Sequence, residues 1–205
     1  MPIGTYRVMD GEGVPNGEVE RFRCAPGPAG WRSVSEIDAV EPHPHAETVD
    51  ITVDADWRPV RLRLDTGEHQ LLARPAGDRL EIDLDGERRD LDWDPETELD
   101  YRSPAFNAVT VNRLHRASVT AADLSVVFFE PFTCEPRIVP QRYELLDDGP
   151  VTTPVGEFQA ERWRYTALDT GWTRAVWIAG DVVVAYEGAW ELVEYEPGAH
   201  GAIPH

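Results

Sequence analysis

Arg113, His115 and Arg116 gather three cations within four residues of a chain that is otherwise strongly acidic. An arginine at 113 could clamp a carboxylate or phosphate headgroup through two parallel N–H bonds, and His115 could give or take a proton near neutral pH. The same side chains could instead pair with some of the 38 Asp and Glu residues. Gln141 and Tyr143 stand two apart, so on a strand they share one face and would put a polar tip into an apolar pocket. A tyrosine packed in the core, with its hydroxyl bonded to backbone, gives the same pattern. Trp163 shares a face with Tyr165, and Trp177 with Ala175, offering flat apolar area to a ligand or to the core. Glu41, His43, His45 and Glu47 alternate around two prolines and have metal-ligating side chains. Without a third ligand on a rigid element they read instead as a proline-braced surface loop, and no metal is assigned to them.

Nucleophilic catalysis finds no motif. GxSxG is absent, Cys24 and Cys134 sit in no CxxC and have no local His, and Ser103, Ser118 and Ser125 carry no elbow pattern. All 19 basic residues are Arg, so neither a lysine Schiff base nor a phosphate-binding P-loop lysine is available. GxGxxG is missing as well, and no cofactor is expected.

The elements that must position these residues are strands. Val49, Ile51 and Val53 alternate with Asp50 and Asp54, Val60, Leu62 and Leu64 with Arg61 and Arg63, and Leu80, Ile82 and Leu84 with Glu81 and Asp83. A period of two gives each strand one dry and one wet face. Asp65-Thr66-Gly67, Pro75-Ala76-Gly77-Asp78 and Asp85-Gly86 supply the turns. A second meander spans 156–196. Residues 1–47, rich in Gly and Pro, read as an irregular segment with short strands at Tyr6–Met9, Val19–Cys24 and Trp31–Ile37, and 197–205 as a loose tail. Asn, Pro and β-branched residues between 103 and 115 argue for a single helical turn or an extended inner segment. The expectation is one all-β domain over 1–205 with ten to twelve strands. With no helix to cover its dry face, the sheet must curl into a β-roll or incomplete barrel around an internal cavity.

A net charge of −19 and a pI near 4.6 disfavour nucleic acid and anionic lipid surfaces as partners. No basic stretch followed by an apolar run opens the chain, and no apolar stretch approaches the roughly 20 residues that span a bilayer. The expectation is a cytoplasmic protein with reduced thiols and no stable membrane insertion, its oligomeric state left open.

Two stretches carry a family resemblance. Ser103-Pro-Ala-Phe-Asn-Ala-Val-Thr-Val-Asn-Arg-Leu114, followed by a strand and Ile138-Val-Pro-Gln-Arg-Tyr-Glu-Leu145, resembles the putative glycolipid-binding family. Thr153-Pro-Val-Gly-Glu-Phe158 is similar to a hairpin of spiral β-roll proteins related to the lipoprotein-carrier half-barrel. The resemblance implies a long, bent antiparallel sheet around an apolar cavity. The expected function is binding of a small lipophilic molecule (lipid, isoprenoid or polycycle) by Arg113, Gln141, Tyr143, Trp163 and Trp177. The alternative is a cofactor-independent isomerase, lyase or cyclase in the same cavity, with His115 or Tyr143 as acid or base.

Overall fold

Apolar and polar residues alternate along most strands and set which face each turns to the core. The computed structural model describes residues 1–27, 29–40 and 44–198. Eight strands come first: β1 (Ile3–Met9), β2 (Pro15–Gly27), β3 (Gly30–Ala39), β4 (His45–Asp54), β5 (Pro59–Asp65), β6 (Gln70–Ala76), β7 (Arg79–Leu84) and β8 (Glu87–Asp92). Short β9 (Glu98–Asp100) leads into helix α1 (Pro104–Arg116). Then follow β10 (Ala121–Phe129), β11 (Pro136–Thr153), β12 (Gly156–Ala167), β13 (Trp172–Ala179), β14 (Val182–Tyr186) and β15 (Trp190–Glu196).

All fifteen strands form one sheet, ordered 8-7-6-5-4-3-2-1-15-14-13-12-11-10-9. The two meanders join where β1 pairs antiparallel with β15, so the successive strands β8 and β9 become the two edges. The sheet curls until β9 lies against β5, but its edges do not pair. This is the strongly curved, incomplete barrel expected from the alternation. The loop between β10 and β11 spans the seam: Thr66 Oγ1 donates to the Phe132 carbonyl over 3.1 Å, and Arg89 reaches Glu135 over 2.5 Å.

Antiparallel partners share a face, so the register carries inward rows across the sheet. One row runs Cys24, Ser33, Ile51, Leu62, Ala73, Ile82 from β2 to β7, and the next runs Phe22, Ser35, Val49, Leu64, Leu71, Leu84. All twelve are buried. The residues between them face out; Arg32 there grips Asp50 with two bonds of 2.8 and 2.7 Å. Gly30 begins β3 at φ 149°, where any Cβ would collide with the Val53 carbonyl, so only glycine fits.

Three expectations need correction. The described residues of 1–47 are not irregular: β2 has 13 residues and β3 has 10, held by pairing on both sides despite their Gly and Pro. The strands number fifteen among the described residues, not ten to twelve. The segment after Ser103 is neither one turn nor extended but a 13-residue helix. Tertiary burial overrides its poor propensity, for Phe106, Ala108, Val109, Val111 and Leu114 are all at most 4% exposed. As a link between the parallel strands β9 and β10, α1 is a crossover inside the curl. No helix of the described residues is long and apolar enough to cross a membrane.

Candidate functional site

The helix occupies the interior. Its Phe106 and Val109 join the core with Tyr6, Phe22 and Ile51, while Ala108, Val111 and Leu114 pack with Tyr143, Trp163, Tyr165 and Val176. Small inward residues on β3, Ser33 and Ser35, make room for its first turn. Beneath that turn remains a cavity of about 10 Å³, space for about one water molecule. Around the first turn of α1, helix and inward side chains therefore leave little open space.

Polar groups cluster where α1 docks. Ser103 caps the helix by accepting from the Ala105 amide over 3.3 Å and donates its hydroxyl to Glu20 Oε1 over 2.5 Å. Glu20 lies on the row Tyr6, Glu20, Ile37, Glu47 and is 1% exposed. Its Oε2 has no hydrogen-bond partner, since Ser35 stands near enough to favour the carboxylate but outside bonding geometry. Burial pushes the Glu20 carboxyl up to about 7, against the opposing pull of Ser103, Ser35 and Arg102. Along the row, Glu47 Oε2 accepts from the Tyr101 hydroxyl over 2.6 Å, and Arg102 bonds Glu18 and comes within 3.6 Å of Glu47. His45 Nε2 stands 3.7 Å from both Glu18 and Glu47. Glu41 and His43 lie outside the described residues. Among the described residues no group of His, Cys, Asp and Glu has the arrangement of a metal site.

Two further carboxylates flank the helix. Glu98 bonds Arg113, and burial still raises its carboxyl to about 7. Asp100 Oδ2 accepts from Gln141 Nε2 over 2.6 Å and is likewise raised by burial to about 7. Deeper, Asn107 Nδ2 donates to the Tyr143 hydroxyl over 2.7 Å. Cys24 and Cys134 are free and buried, with thiols pushed up to about 12, chiefly by burial.

The residues singled out by sequence fall in three places. Gln141, Tyr143 and Trp163 are buried behind α1. Arg113 and His115 occupy opposite flanks of its C-terminal end. Arg113 is 8% exposed and spends its donors on Glu98, on Glu96 Oε2 at 2.8 Å and on the Glu96 carbonyl at 3.2 Å. His115 is exposed in an open groove of about 360 Å³, with Nδ1 2.9 Å from Glu161, whose other oxygen accepts from the Trp163 indole at 2.9 Å. Trp177 pairs with Arg162 while Trp163 pairs with Val176, so the two indoles point to opposite faces.

Sequence reasoning passed over Glu20, Glu98 and Asp100, and singled out Glu47 only as a candidate metal ligand. For two of them a signal existed: Glu20 keeps phase with Phe22 and Cys24, and Glu47 with Val49 and Ile51, each an acid on an apolar face. Glu98 and Asp100 sit in a three-residue strand and give no periodicity to read.

Among curated proteins none matches this chain. Solved structures share its fold. A DUF1089 family protein from Pseudomonas aeruginosa superimposes with a TM-score of 0.59 at 19% identity, covering 84% of this chain and 91% of that one. A β-barrel-like protein of the domain of unknown function DUF1849 from Brucella abortus gives 0.58 at 11% identity, covering 95% of both. The family model described as "putative glycolipid-binding" matches residues 12–190, from β2 through the start of β15, and the chain belongs to that family.

Proposed function

We propose that this chain binds an amphiphilic, lipid-like molecule inside the curl of its sheet, with α1 withdrawing to make the space. The observation that carries this reading is the helix inside the curl: among the described residues the one helix, of 13 residues, packs into both clusters of core side chains of the fifteen-stranded sheet. A helix of that length is marginal on its own, and Asn107, Val109, Thr110, Val111 and Asn112 weaken it further. It is about 20 Å long and about 10 Å across, so the room it takes up exceeds an ordinary small-ligand pocket. Family membership supports a lipid-like ligand.

In this reading Gln141, Tyr143 and Trp163 line the wall that α1 vacates, Arg113 tethers the helix end through Glu98, and His115 stands at the rim. Trp177, on the other face, takes no part. The acid–base alternative draws less support. His115 and Tyr143 share no described cavity, the Tyr143 hydroxyl is held by Asn107, and burial pushes its phenol well above the ordinary value.

Hydrogen exchange tests the reading. With a bound amphiphile, amides of residues 104–116 should lose protection while those of β12 and β13 keep theirs. Binding with α1 protection unchanged, or no binding by any of a series of lipids and glycolipids, would refute it.

A further inference from the structure

We infer that the interior holds a recognition pocket for a primary ammonium group at Glu20, so that the amphiphile it accepts is a cationic one. The inference rests on the amphiphile reading above and gives its headgroup a charge. The cavity under the first turn of α1 is bounded by two carboxylates, Glu20 and Asp181, two hydroxyls, Ser33 and Ser35, and three aromatic rings, Tyr6, Phe22 and Trp31. Neither Arg nor His lines it among the described residues, and the chain has no Lys. The nearest guanidinium, Arg102, is committed to Glu18 and Glu47. Glu20 Oε2 is therefore a buried acceptor with no donor in bonding geometry, the Ser35 hydroxyl being its near neighbour, and such a group is costly unless something pairs with it.

Hydrogen bonding selects the partner. An –NH₃⁺ brings N–H donors to the acceptor at the floor of this cavity, whereas a trimethylammonium has none to give. Tyr6 and Phe22, stacked on each other at 4.8 Å, both line the cavity beside Glu20. Asp181 accepts from the Trp31 indole over 2.9 Å and is the second carboxyl group of the lining. The roof is small, made by Pro104, Ala105 and Ala108 of α1, and the alkyl tail leaves through it as the helix withdraws. Below pH 7 the proton of Glu20 departs as the ammonium arrives. The neutral acid and R–NH₃⁺ become a carboxylate–ammonium pair, and one H⁺ goes to solvent.

Titration calorimetry at pH 6, in two buffers of different ionisation enthalpy, tests this with chain-matched probes below micelle formation. Octylammonium should bind at least about tenfold more tightly than octyl glucoside, octanoate or octyltrimethylammonium, and should release a proton. Glu20→Gln should weaken octylammonium by about 30-fold or more and abolish the proton release that accompanies its binding. Octyl glucoside or octyltrimethylammonium binding as well as octylammonium would overturn the inference while leaving the amphiphile reading intact. No binding by any probe would overturn that reading itself. If Glu20→Gln fails to fold, the wild-type proton count decides: octylammonium binding without proton release overturns the inference.

Discussion

Replacing Glu20 by glutamine should stabilise the protein in mild alkali and change little in acid. The folded chain keeps a proton on Glu20 up to about pH 7, whereas an unperturbed glutamate, at 4.5, has lost it well before. Between those values the folded state holds more protons than the unfolded state, so stability falls as pH rises through the window and stays lower above it. A gap of about 2.5 pKa units corresponds to about 3 kcal/mol at pH 8.5, about 2 kcal/mol at pH 6 and under about 1 kcal/mol at pH 5. Glutamine retains the oxygen that accepts from Ser103, so the capping contact survives. Urea unfolding of variant and wild type at pH 5 and pH 8.5 provides the measurement, with a midpoint gain of about 1 M expected at the higher pH. Taking the difference between the two proteins removes the other titrating groups. Glu98 and Asp100 act with the same sign, whereas Asp10 and Asp85 are held below their ordinary value and act with the opposite one. An equal difference at both pH values, or a variant less stable at pH 8.5, would refute the assignment of a buried, poorly paired carboxylate.

Arg113→Met should cost about 3–5 kcal/mol by leaving Glu98 buried without its cation, and adding Glu98→Gln should recover much of that loss in the same urea assay. Tyr143→Phe strands Asn107 Nδ2 in the core and should cost about 1–3 kcal/mol, read as a lower unfolding midpoint, while amphiphile binding persists.

The curl of the sheet is legible because its evidence is local. Val49, Ile51 and Val53 declare an inward face without any knowledge of their partners, and Leu62, Leu64, Leu80 and Ile82 repeat the message. The helix is not legible for the reason that makes it interior. Buried residues surround it, from Phe106 and Asn107 to Arg113 and Leu114, so no apolar stripe repeats along its length. Residues 1–47 mislead in the opposite sense. Pro15, Gly17 and Pro26 punctuate β2 without breaking it, because β1 and β3 pair with it on both sides. Glu20 lies between these cases. Its phase with Phe22 is visible in the sequence, but its isolation depends on Ser33, Ser35 and the first turn of α1 coming together from distant parts of the chain.

The distribution of charge inside the curl bears on whether α1 is permanent core. From β5 to β7 the inward rows are wholly apolar: Leu62, Leu64, Leu71, Ala73, Leu80, Ile82 and Leu84. The buried acids Glu20, Glu47, Glu98 and Asp100 instead border α1 or the segment 98–103 that leads into it. Apolar residues of similar volume at such positions would commonly make a more stable protein. The stability given up is thus concentrated where one helix docks, while the sheet around it keeps its aliphatic rows intact. Elements that move in function are drawn from the least stable parts of a structure. In the proposed binding, a helix seated on Glu20, Glu98 and Asp100, whose burial resists ionisation, is the element that would leave and return, and an incoming cation would pair with the acceptor it covers.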